Sequence, residues 1–283
     1  MKKCFSLLLT LAVLSCLIIG LTGCQSQNYA DSSVDTSYDK VEKSGTLIVG
    51  LDDSFPPMGY VDVNSGELIG FDIDLAKEVT NRLGLSVKFQ PIDWATKEME
   101  LANGNIDCIW NGMSKTEALD QALNLSFPYM QNNQCILVKA DSSYQTLDDL
   151  AGNNLCVQTE SSAAHALDKN PVFKGTLKNV VEVDTYTKAI LELQNGTVDA
   201  IGIDEIVARF YIQQTPNAYR LIETETGKPV SLAAEDYVIG FRKNDAALKI
   251  KIEQTLTEMA DDGTLARIST KWFGDDVTTV SNQ

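Results

Sequence analysis

Two short stretches of the chain place polar residues where an α/β protein binds small molecules. Residues 101–109 read LANGNIDCI and residues 193–201 read LQNGTVDAI, so each is the end of a helix, an Asn-Gly stop and a strand with an aspartate. Ligands of open α/β sheets bind beyond the carboxyl ends of the strands. We therefore predict that residues 111–114 and Asp204, which follow the two units, face a pocket. The alternative is a chance similarity of helix-glycine-strand punctuation.

Few residues suit metal binding or nucleophilic catalysis. The chain has one histidine, His165, which excludes most metal sites and His-based triads. Cys108, Cys135 and Cys156 stand in apolar, strand-like runs, and their spacings match no zinc or redox pattern. We predict that these cysteines are buried core residues, with one disulfide among them left open. We expect no metal and no cofactor.

The overall charge is strongly acidic. The 283 residues include 23 Lys+Arg and 39 Asp+Glu, for a formal net charge of −16. Phosphate backbones repel such a chain, so we expect no nucleic-acid partner. The length fits one large domain or two small ones.

The N-terminus has the composition of a targeting segment. A basic start and an apolar run lead to the sequence LTGC at residues 21–24, which resembles the lipobox of bacterial lipoproteins. The resemblance implies that residues 1–23 are a lipoprotein signal peptide and that the Cys24 sulfur carries a lipid. Residues 24–40 are then the lipidated cysteine and a polar, flexible tether.

Strands alternate with helices from residue 46 onward, which indicates an α/β fold with largely parallel sheets. The predicted strands are 46–51, 87–89, 106–110, 135–138, 155–158, 180–183, 198–203 and 237–241. The predicted helices are 72–83, 95–102, one from Thr116, 161–167, 187–194, 246–260 and 264–272.

A series of short motifs points to one family. The chain resembles the extracellular solute-binding proteins of polar amino-acid ABC transporters, known as bacterial solute-binding protein family 3. Each motif is weak alone, but their order is sustained from Gly45 to Gly274. The motifs are GTLIVG at 45–50, PP at 56–57, GFDIDLA at 70–76, Trp94, GNID at 104–107, GMS at 112–114, TE at 116–117, Ser126, PY at 128–129, Leu147, DLAG at 149–152, VQ at 157–158, SS at 161–162, GTVDA at 196–200, Asp204, DGT at 262–264 and KWFG at 271–274.

The resemblance implies a two-lobed, periplasmic-binding-protein-like fold with mostly parallel sheets flanked by helices. Two hinge crossovers should lie near residues 130–134 and 235–238. Lobe 1 is then 41–130 plus 238–283, and lobe 2 is 133–235. The protein would be a monomeric receptor rather than an enzyme, held by its N-terminal lipid on the extracytoplasmic face of the cell membrane. It would capture an amino acid or an amine-bearing solute and dock on an ABC permease; a ligand sensor or a dehydratase-like enzyme on the same fold is the alternative.

The resemblance also implies roles for individual residues. Asp204 matches the carboxylate that receives the ligand's α-ammonium, Gly112 a backbone acceptor and Ser114 a hydroxyl partner. Ser161 and Ser162 open a helix whose free N–H groups favour a carboxylate. The alternative for Asp204 and for the two serines is simple helix capping.

Four further positions match residues around the ligand's side chain. Phe55 and Trp94 match aromatic residues that sandwich it, although each is also a plausible core residue by type. Asp52 and Asn111 match positions that tune side-chain selectivity.

One position departs from the family pattern in a way that bears on the ligand. The family has an arginine three residues after the threonine matched by Thr116, and it forks onto the ligand's α-carboxylate. Here that residue is Leu119. Glu160 stands where the family usually has glycine, and its contact with ligand is left open.

Two explanations for Leu119 stay open. Either the ligand is an amino acid whose carboxylate is received by Lys115 or by the helix that starts at Ser161, or the ligand is a cationic solute without an α-carboxylate. Asp52, Glu160 and Asp204 would make the cleft anionic, which favours a cationic or amine-bearing ligand.

Overall fold

The computed structural model describes residues 35–280, which belong to one compact unit. The predicted signal peptide, the predicted lipidation site Cys24 and residues 25–34 of the predicted tether lie outside the described residues. None of the helices in the range 35–280 combines the length and the apolar surface that a bilayer crossing requires.

The first part of the described chain alternates helices and strands around an apolar centre. Strand TLIVGL is buried along most of its length because neighbouring strands flank it on both sides. The elements are α1 (Ser37–Ser44), β1 (Thr46–Leu51), β2 (Ser54–Phe55), β3 (Gly59–Val61), β4 (Leu68–Ile69), α2 (Phe71–Arg82), β5 (Ser86–Pro91), α3 (Lys97–Ala102), β6 (Cys108–Ser114), α4 (Glu117–Ala122) and β7 (Asn124–Leu125).

The second part repeats this alternation and returns to the first. Short 3-10 turns, Trp94–Thr96 and Asp148–Leu150, precede α3 and β9 respectively. The elements are β8 (Met130–Lys139), β9 (Asn154–Gln158), α5 (Ser162–Asp168), α6 (Pro171–Thr176), β10 (Asn179–Val183), α7 (Tyr186–Asn195), β11 (Ala200–Asp204), α8 (Glu205–Gln214), β12 (Tyr219–Leu221), β13 (Ala233–Phe241), α9 (Ala246–Asp261) and α10 (Thr264–Phe273).

The main sheet runs through both lobes in the order β10-β9-β11-β8-β13-β6-β1-β5. Four pairs of the main sheet are parallel, namely β1 with β5 and β6, and β9 with β10 and β11, whereas every pair that includes β8 or β13 is antiparallel. The long strands β8 and β13 pair antiparallel, with Ala233 opposite Gln134 and Tyr237 opposite Met130. The two-lobed α/β fold is thereby confirmed, but the sheet is mixed rather than mostly parallel. Its antiparallel pairs all include one of the two strands that connect the lobes.

Each lobe has its own apolar cluster beside a shared core. In lobe 2, Ile136, Leu155 and Leu167 belong to one cluster. In lobe 1, Leu101 and Leu119 belong to another, which also takes in residues of β6. The shared core takes in residues of both lobes, such as Val49 and Leu137, and so packs the lobes against each other.

Helix α1 corrects the predicted extent of the tether. Residues 37–40 were predicted to be flexible, but they are helical, and Val41 is only 3% exposed. The amide N–H groups of Ala247 and Leu248, at the start of α9, donate to Asp35 Oδ2 and Ser37 Oγ. The polar composition of this stretch predicted a tether because its capping role is not visible in the sequence: Asp35 and Ser37 cap a helix that lies far away along the chain.

Gly70, the residue before α2, provides a test of the packing under this helix. Its φ is 150°, and a Cβ there would lie 2.1 Å from the carbonyl oxygen of Met58. We expect Gly70→Ala to lower the free energy of unfolding by more than about 3 kcal/mol, because strain and a backbone clash add.

Gly66→Ala is the matched control, because Gly66 has a φ of 71° and a Cβ added there would have no heavy atom within 4 Å. It should cost about 1–2 kcal/mol from the left-handed backbone alone. Urea unfolding of the two variants measures the difference. Equal losses would contradict the close approach of Met58.

Candidate functional site

A small cavity of about 20 Å³ lies between the lobes, and we call it the central cavity. Residues from both lobes line it, and all but one of them are among the predicted ligand-binding residues. The exception is Gln158, the last residue of β9. The lining residues are Phe55, Trp94, Asn111, Gly112, Ser114, Gln158, Ser161, Ser162 and Asp204.

Asp204 ends strand β11 and is 4% exposed. Its Oδ1 accepts hydrogen bonds from Asn132 Nδ2 at 2.6 Å, Gln134 Nε2 at 2.7 Å and Tyr237 Oη at 2.8 Å. These donors belong to β8 and β13, the strands that connect the lobes. The side chain makes no capping hydrogen bond to α8, so the helix-capping alternative is wrong.

The protonation of Asp204 reflects its surroundings. Burial raises its pKa to about 7, nearby Glu235 adds to the rise, and the hydrogen bonds from Tyr237 and Gln134 oppose it. Among the described residues, no cation contributes to this balance. The site therefore holds a buried carboxylate whose partners are all neutral donors.

The lobe 1 wall of the central cavity is a strand. The strand predicted at 106–110 extends further than expected, because residues 111–114 form the second half of β6 and are buried throughout. Gly112 has a φ of 55°, and a Cβ there would lie 2.8 Å from Phe55 Cε1. Glycine is needed here because the strand must twist into the left-handed region directly beneath an aromatic ring.

Asp72 holds this wall in place from behind. Its side chain is buried, and its Oδ2 accepts from Gly112 N at 2.7 Å and Tyr129 Oη at 3.0 Å. Burial raises its pKa to about 7. Asp72 thus positions the backbone of Gly112 without lining the central cavity.

Asp52 lies beside the central cavity and joins the two lobes. Its Oδ2 accepts from Gln158 Nε2 at 2.7 Å, and its backbone N–H donates to Asn111 Oδ1 at 2.9 Å. Burial raises the pKa of Asp52 to about 6.

Gln158 was missed as a site residue because an uncharged side chain at a strand end carries no chemical signal of its own. Its place at the carboxyl end of predicted strand 155–158 was the available clue.

The two serines have different positions. Ser161 is 3% exposed and caps α5, with its Oγ accepting from Ala164 N at 3.2 Å. Ser162 follows as the first residue of the helix, and both line the central cavity. Glu160 precedes them with a φ of 55°, which explains why glycine suits this position. Its carboxylate lies 3.7 Å from His165 Nε2 and is not part of the cavity lining.

The two predicted aromatic residues line the central cavity from lobe 1. Phe55 is 6% exposed, and its ring centroid lies 5.7 Å from that of Tyr186 in lobe 2. Trp94 is half-buried and packs against the lobe 1 apolar cluster. Both residues therefore combine the core packing and the pocket position that the sequence left as alternatives.

Leu119 does not line the central cavity. It was predicted as a ligand-binding position, but its side chain is 8% exposed within the lobe 1 apolar cluster. A leucine here gains more from burial among Leu101 and its neighbours than from facing a polar cavity. The arginine position of the family thus carries a core residue in this chain.

The cysteines within residues 35–280 are buried and unpaired. They are Cys108, Cys135 and Cys156, and burial raises the pKa of each thiol, which disfavours the reactive thiolate. Across the same range, no group of three or more His, Cys, Asp or Glu side chains is placed to hold a metal ion.

A larger groove of about 940 Å³ lies on the other side of the connecting strands, between α8 and the C-terminal end of α10. Its charged side chains include Arg209, which pairs with Glu205 at 2.6 Å, and Lys271, which pairs with Asp74 at 2.6 Å. Because these two cations are already paired and the groove is open to solvent, the smaller central cavity is the better candidate site.

Comparison with known proteins gives one consistent result. The family described as bacterial extracellular solute-binding proteins, family 3, matches residues 47–275. The L-cystine-binding protein TcyA of Bacillus subtilis is 28% identical over 278 residues, which cover 98% of this chain and 99% of that protein.

Solved structures show the same similarity. A substrate-binding protein of an ABC uptake transporter from Streptococcus pneumoniae, with bound histidine, has a TM-score of 0.81 and 35% identity, covering 88% of this chain and 100% of its own. An ancestral arginine-binding protein bound to arginine has a TM-score of 0.73 and 38% identity, covering 81% and 99%.

The raised pKa of Asp204 predicts how stability depends on pH. In the folded, ligand-free protein this pKa is about 7, against about 4 in an unfolded chain. Between these values the folded state holds the extra proton, so the contribution of Asp204 to stability falls as the pH rises from about 4 to 7. Asp204→Asn cannot ionise and keeps an Oδ1 for its three donors. We therefore expect its stability relative to wild type to increase across this window.

Urea unfolding at a series of pH values measures this difference. Asp141→Asn, at an exposed carboxylate of lobe 2, is the control and should run parallel to the wild type. A constant offset between Asp204→Asn and wild type would show that Asp204 does not titrate in this range.

Proposed function

Because the chain belongs to the bacterial extracellular solute-binding proteins, family 3, we propose that it binds a small amino acid or another amine-bearing solute in the central cavity. The protein is the substrate-binding receptor of an ABC importer, and it captures its solute between two lobes. Relatives named for cystine, histidine and arginine indicate the range of ligands from which its own is drawn.

The buried carboxylate of Asp204 is the observation that carries this proposal. It borders the central cavity and receives only neutral hydrogen-bond donors within residues 35–280. A buried carboxylate is stabilised most by a cation that hydrogen-bonds to it. An ammonium group on the ligand supplies that cation and returns Asp204 to its ionised form.

The remaining lining residues suit the rest of an amino-acid-sized solute once the lobes move apart to admit it, because the central cavity of about 20 Å³ holds about one water molecule. Gly112 and Ser114 offer polar atoms on the lobe 1 wall, opposite Asp204 and the two serines of lobe 2. Phe55 and Trp94 supply flat apolar surface for the ligand's side chain. Asp52 and Asn111 lie next to this surface and would select among side chains. Like the binding proteins of its family, the protein would release the ligand unchanged.

Two classes of ligand fit this proposal, and they differ in whether the ligand has an α-carboxylate. An amino acid has one, and its carboxylate must bind a cation elsewhere in the site, because residue 119 is a core leucine. A cationic solute without an α-carboxylate needs none, and the buried carboxyls of Asp52 and Asp204 favour it. Both classes share the ammonium on Asp204.

We further propose that the mature protein is a monomer anchored by a lipid on Cys24, at the extracytoplasmic face of the cell membrane. The LTGC sequence at residues 21–24 supports this location. Because the globular unit begins at Asp35, about ten residues would link the lipid to the first helix. From there the receptor would meet its permease in the same membrane.

A ligand screen tests the proposed function directly. Wild-type protein is mixed with the standard amino acids and with simple amines such as agmatine, histamine and putrescine, and melting is recorded. A ligand at about 100 times its Kd should add about 2.7 kcal/mol of stability without being consumed. The absence of any shift across both groups, or turnover of the compound, would overturn the proposal.

The best ligand then tests the role of Asp204. We expect Asp204→Asn to weaken binding by about 2–5 kcal/mol, roughly 30-fold or more, because the ammonium loses its buried counter-charge. Titration calorimetry measures the loss. The N-acetylated form of the same ligand is the control: acetylation should cost the wild type far more affinity than it costs Asp204→Asn. Equal costs would assign the ammonium to another residue.

Lipidation is tested by labelling cells with an alkyne fatty acid. Wild-type protein should incorporate the label, and Cys24→Ala should lose it, since the acyl chains depend on the modified cysteine. Cys108→Ala is the matched control, because Cys108 is buried in the folded protein, and it should keep the label. Label retained by Cys24→Ala would rule out this anchor.

A further inference from the structure

Lys97 is a buried cation at the seam between the lobes. It is the first residue of α3 and is only 6% exposed, which is unusual for a lysine. Its Nζ donates to the carbonyl oxygen of Trp94 at 3.2 Å and, across the seam, to that of Glu160 at 3.4 Å. The ammonium also lies 5.0 Å from the centroid of the Trp94 ring.

These contacts put the ammonium next to the central cavity from both sides. Trp94 lines the cavity from lobe 1, and Glu160 is followed directly by Ser161, which lines it from lobe 2. Lys97 is not itself among the lining residues, but one of its two hydrogen-bond acceptors belongs to a lining residue and the other directly precedes one.

Lys97 forms no direct ion pair within the described residues. Both acceptors are neutral carbonyls, and none of the ion pairs within 4.0 Å in residues 35–280 includes Lys97. Burial lowers the pKa of Lys97, while Glu98, Glu160 and Asp93 act on it only from a distance and raise it. An anionic group placed here would relieve the desolvation of the ammonium.

Lys97 also adjoins the residue that replaces the family's arginine. Lys97 and Leu101 are four residues apart and share one face of α3. Leu101 and Leu119 belong to the same apolar cluster, against which Trp94 packs. The positive charge that is missing at residue 119 is thus present on a neighbouring helix, at the edge of the same cluster.

The other cation named for this role is already paired. Lys115 has a half-exposed side chain, and its Nζ lies 3.5 Å from Asp120 Oδ1. The helix that starts at Ser161 offers backbone N–H groups, of which Ala164 N is bonded to the Ser161 hydroxyl; such groups can bond a carboxylate but carry no full charge. Lys97 therefore remains as the buried cation beside the central cavity.

We propose that Lys97 receives the α-carboxylate of an amino-acid ligand, in place of the arginine that Leu119 replaces. The inference rests on the proposed function and selects the amino-acid class within it. A lysine is a point charge on a flexible stem rather than a planar fork, so it holds a carboxylate with less geometric constraint than arginine.

Pairs of amino acids and their decarboxylated amines provide the test. Arginine differs from agmatine, and histidine from histamine, mainly by the α-carboxylate. Within each pair, the ratio of the two affinities therefore reports on the residue that binds the carboxylate. The mature wild-type chain should bind the amino acid of the responsive pair more tightly than the amine. Lys97→Met keeps an unbranched, apolar stem and removes the charge. We expect it to reduce that ratio by about 10-fold or more, while affinity for the amine changes little.

Two further variants serve as controls, and for each the affinity is measured by calorimetry and the stability by melting. Lys115→Met should leave the ratio unchanged, and Lys97→Arg should preserve most of the preference. If Lys97 only bridges the lobes through Glu160, Lys97→Met will weaken both members of a pair equally, and the proposal is wrong. Wild-type preference for the amine also overturns it and leaves the proposed function intact. If the wild type binds no amino acid and no amine, the proposed function itself fails.

Discussion

The arrangement of this protein depends on a carboxylate buried where the two lobes join. Asp204 ends a lobe 2 strand, and its Oδ1 takes hydrogen bonds from residues of both connecting strands, β8 and β13. Removing such a group from water is costly, so its surroundings must supply polar partners in fixed positions. The same partners tie the state of Asp204 to the strands that connect the lobes. A ligand that pairs with this carboxylate would act on the hinge as well as on the pocket.

A second buried carboxylate organises the opposite wall. Asp72 accepts from the backbone of Gly112 and from Tyr129, and so holds β6 in the shape that faces the central cavity. Neither carboxylate has a cation beside it among the described residues, and burial raises the pKa of each to about 7. Their positions differ: Asp204 borders the cavity, whereas Asp72 stands behind the wall. This difference separates a residue that can touch a ligand from one that positions its neighbours.

The candidate site was largely accessible from the sequence because short motifs mark strand ends and helix starts. Gly112, Ser161 and Asp204 were located in this way, and they meet at one cavity. Gln158 and Lys97 were not located. An amide and a lysine carry no distinctive spacing, and their importance comes from burial between lobes that are far apart in sequence. Leu119 was recognised as an exception, but only packing shows that its side chain leaves the cavity for the apolar cluster.

The sequence by itself determined the alternation of strands and helices and the strand ends at which polar residues gather, since these follow from local periodicity and turn residues. The two-lobed fold was indicated by the order of short motifs that the chain shares with a family it resembles. Tertiary structure decided what depends on contacts between distant segments. It turned polar residues 37–40 into a docked helix, paired the connecting strands antiparallel and extended β6 through residues 111–114. It also buried Asp72, Lys97 and Asp204 in particular surroundings. Burial and hydrogen-bond partners are properties of the assembled chain, so residue type and spacing alone do not specify them.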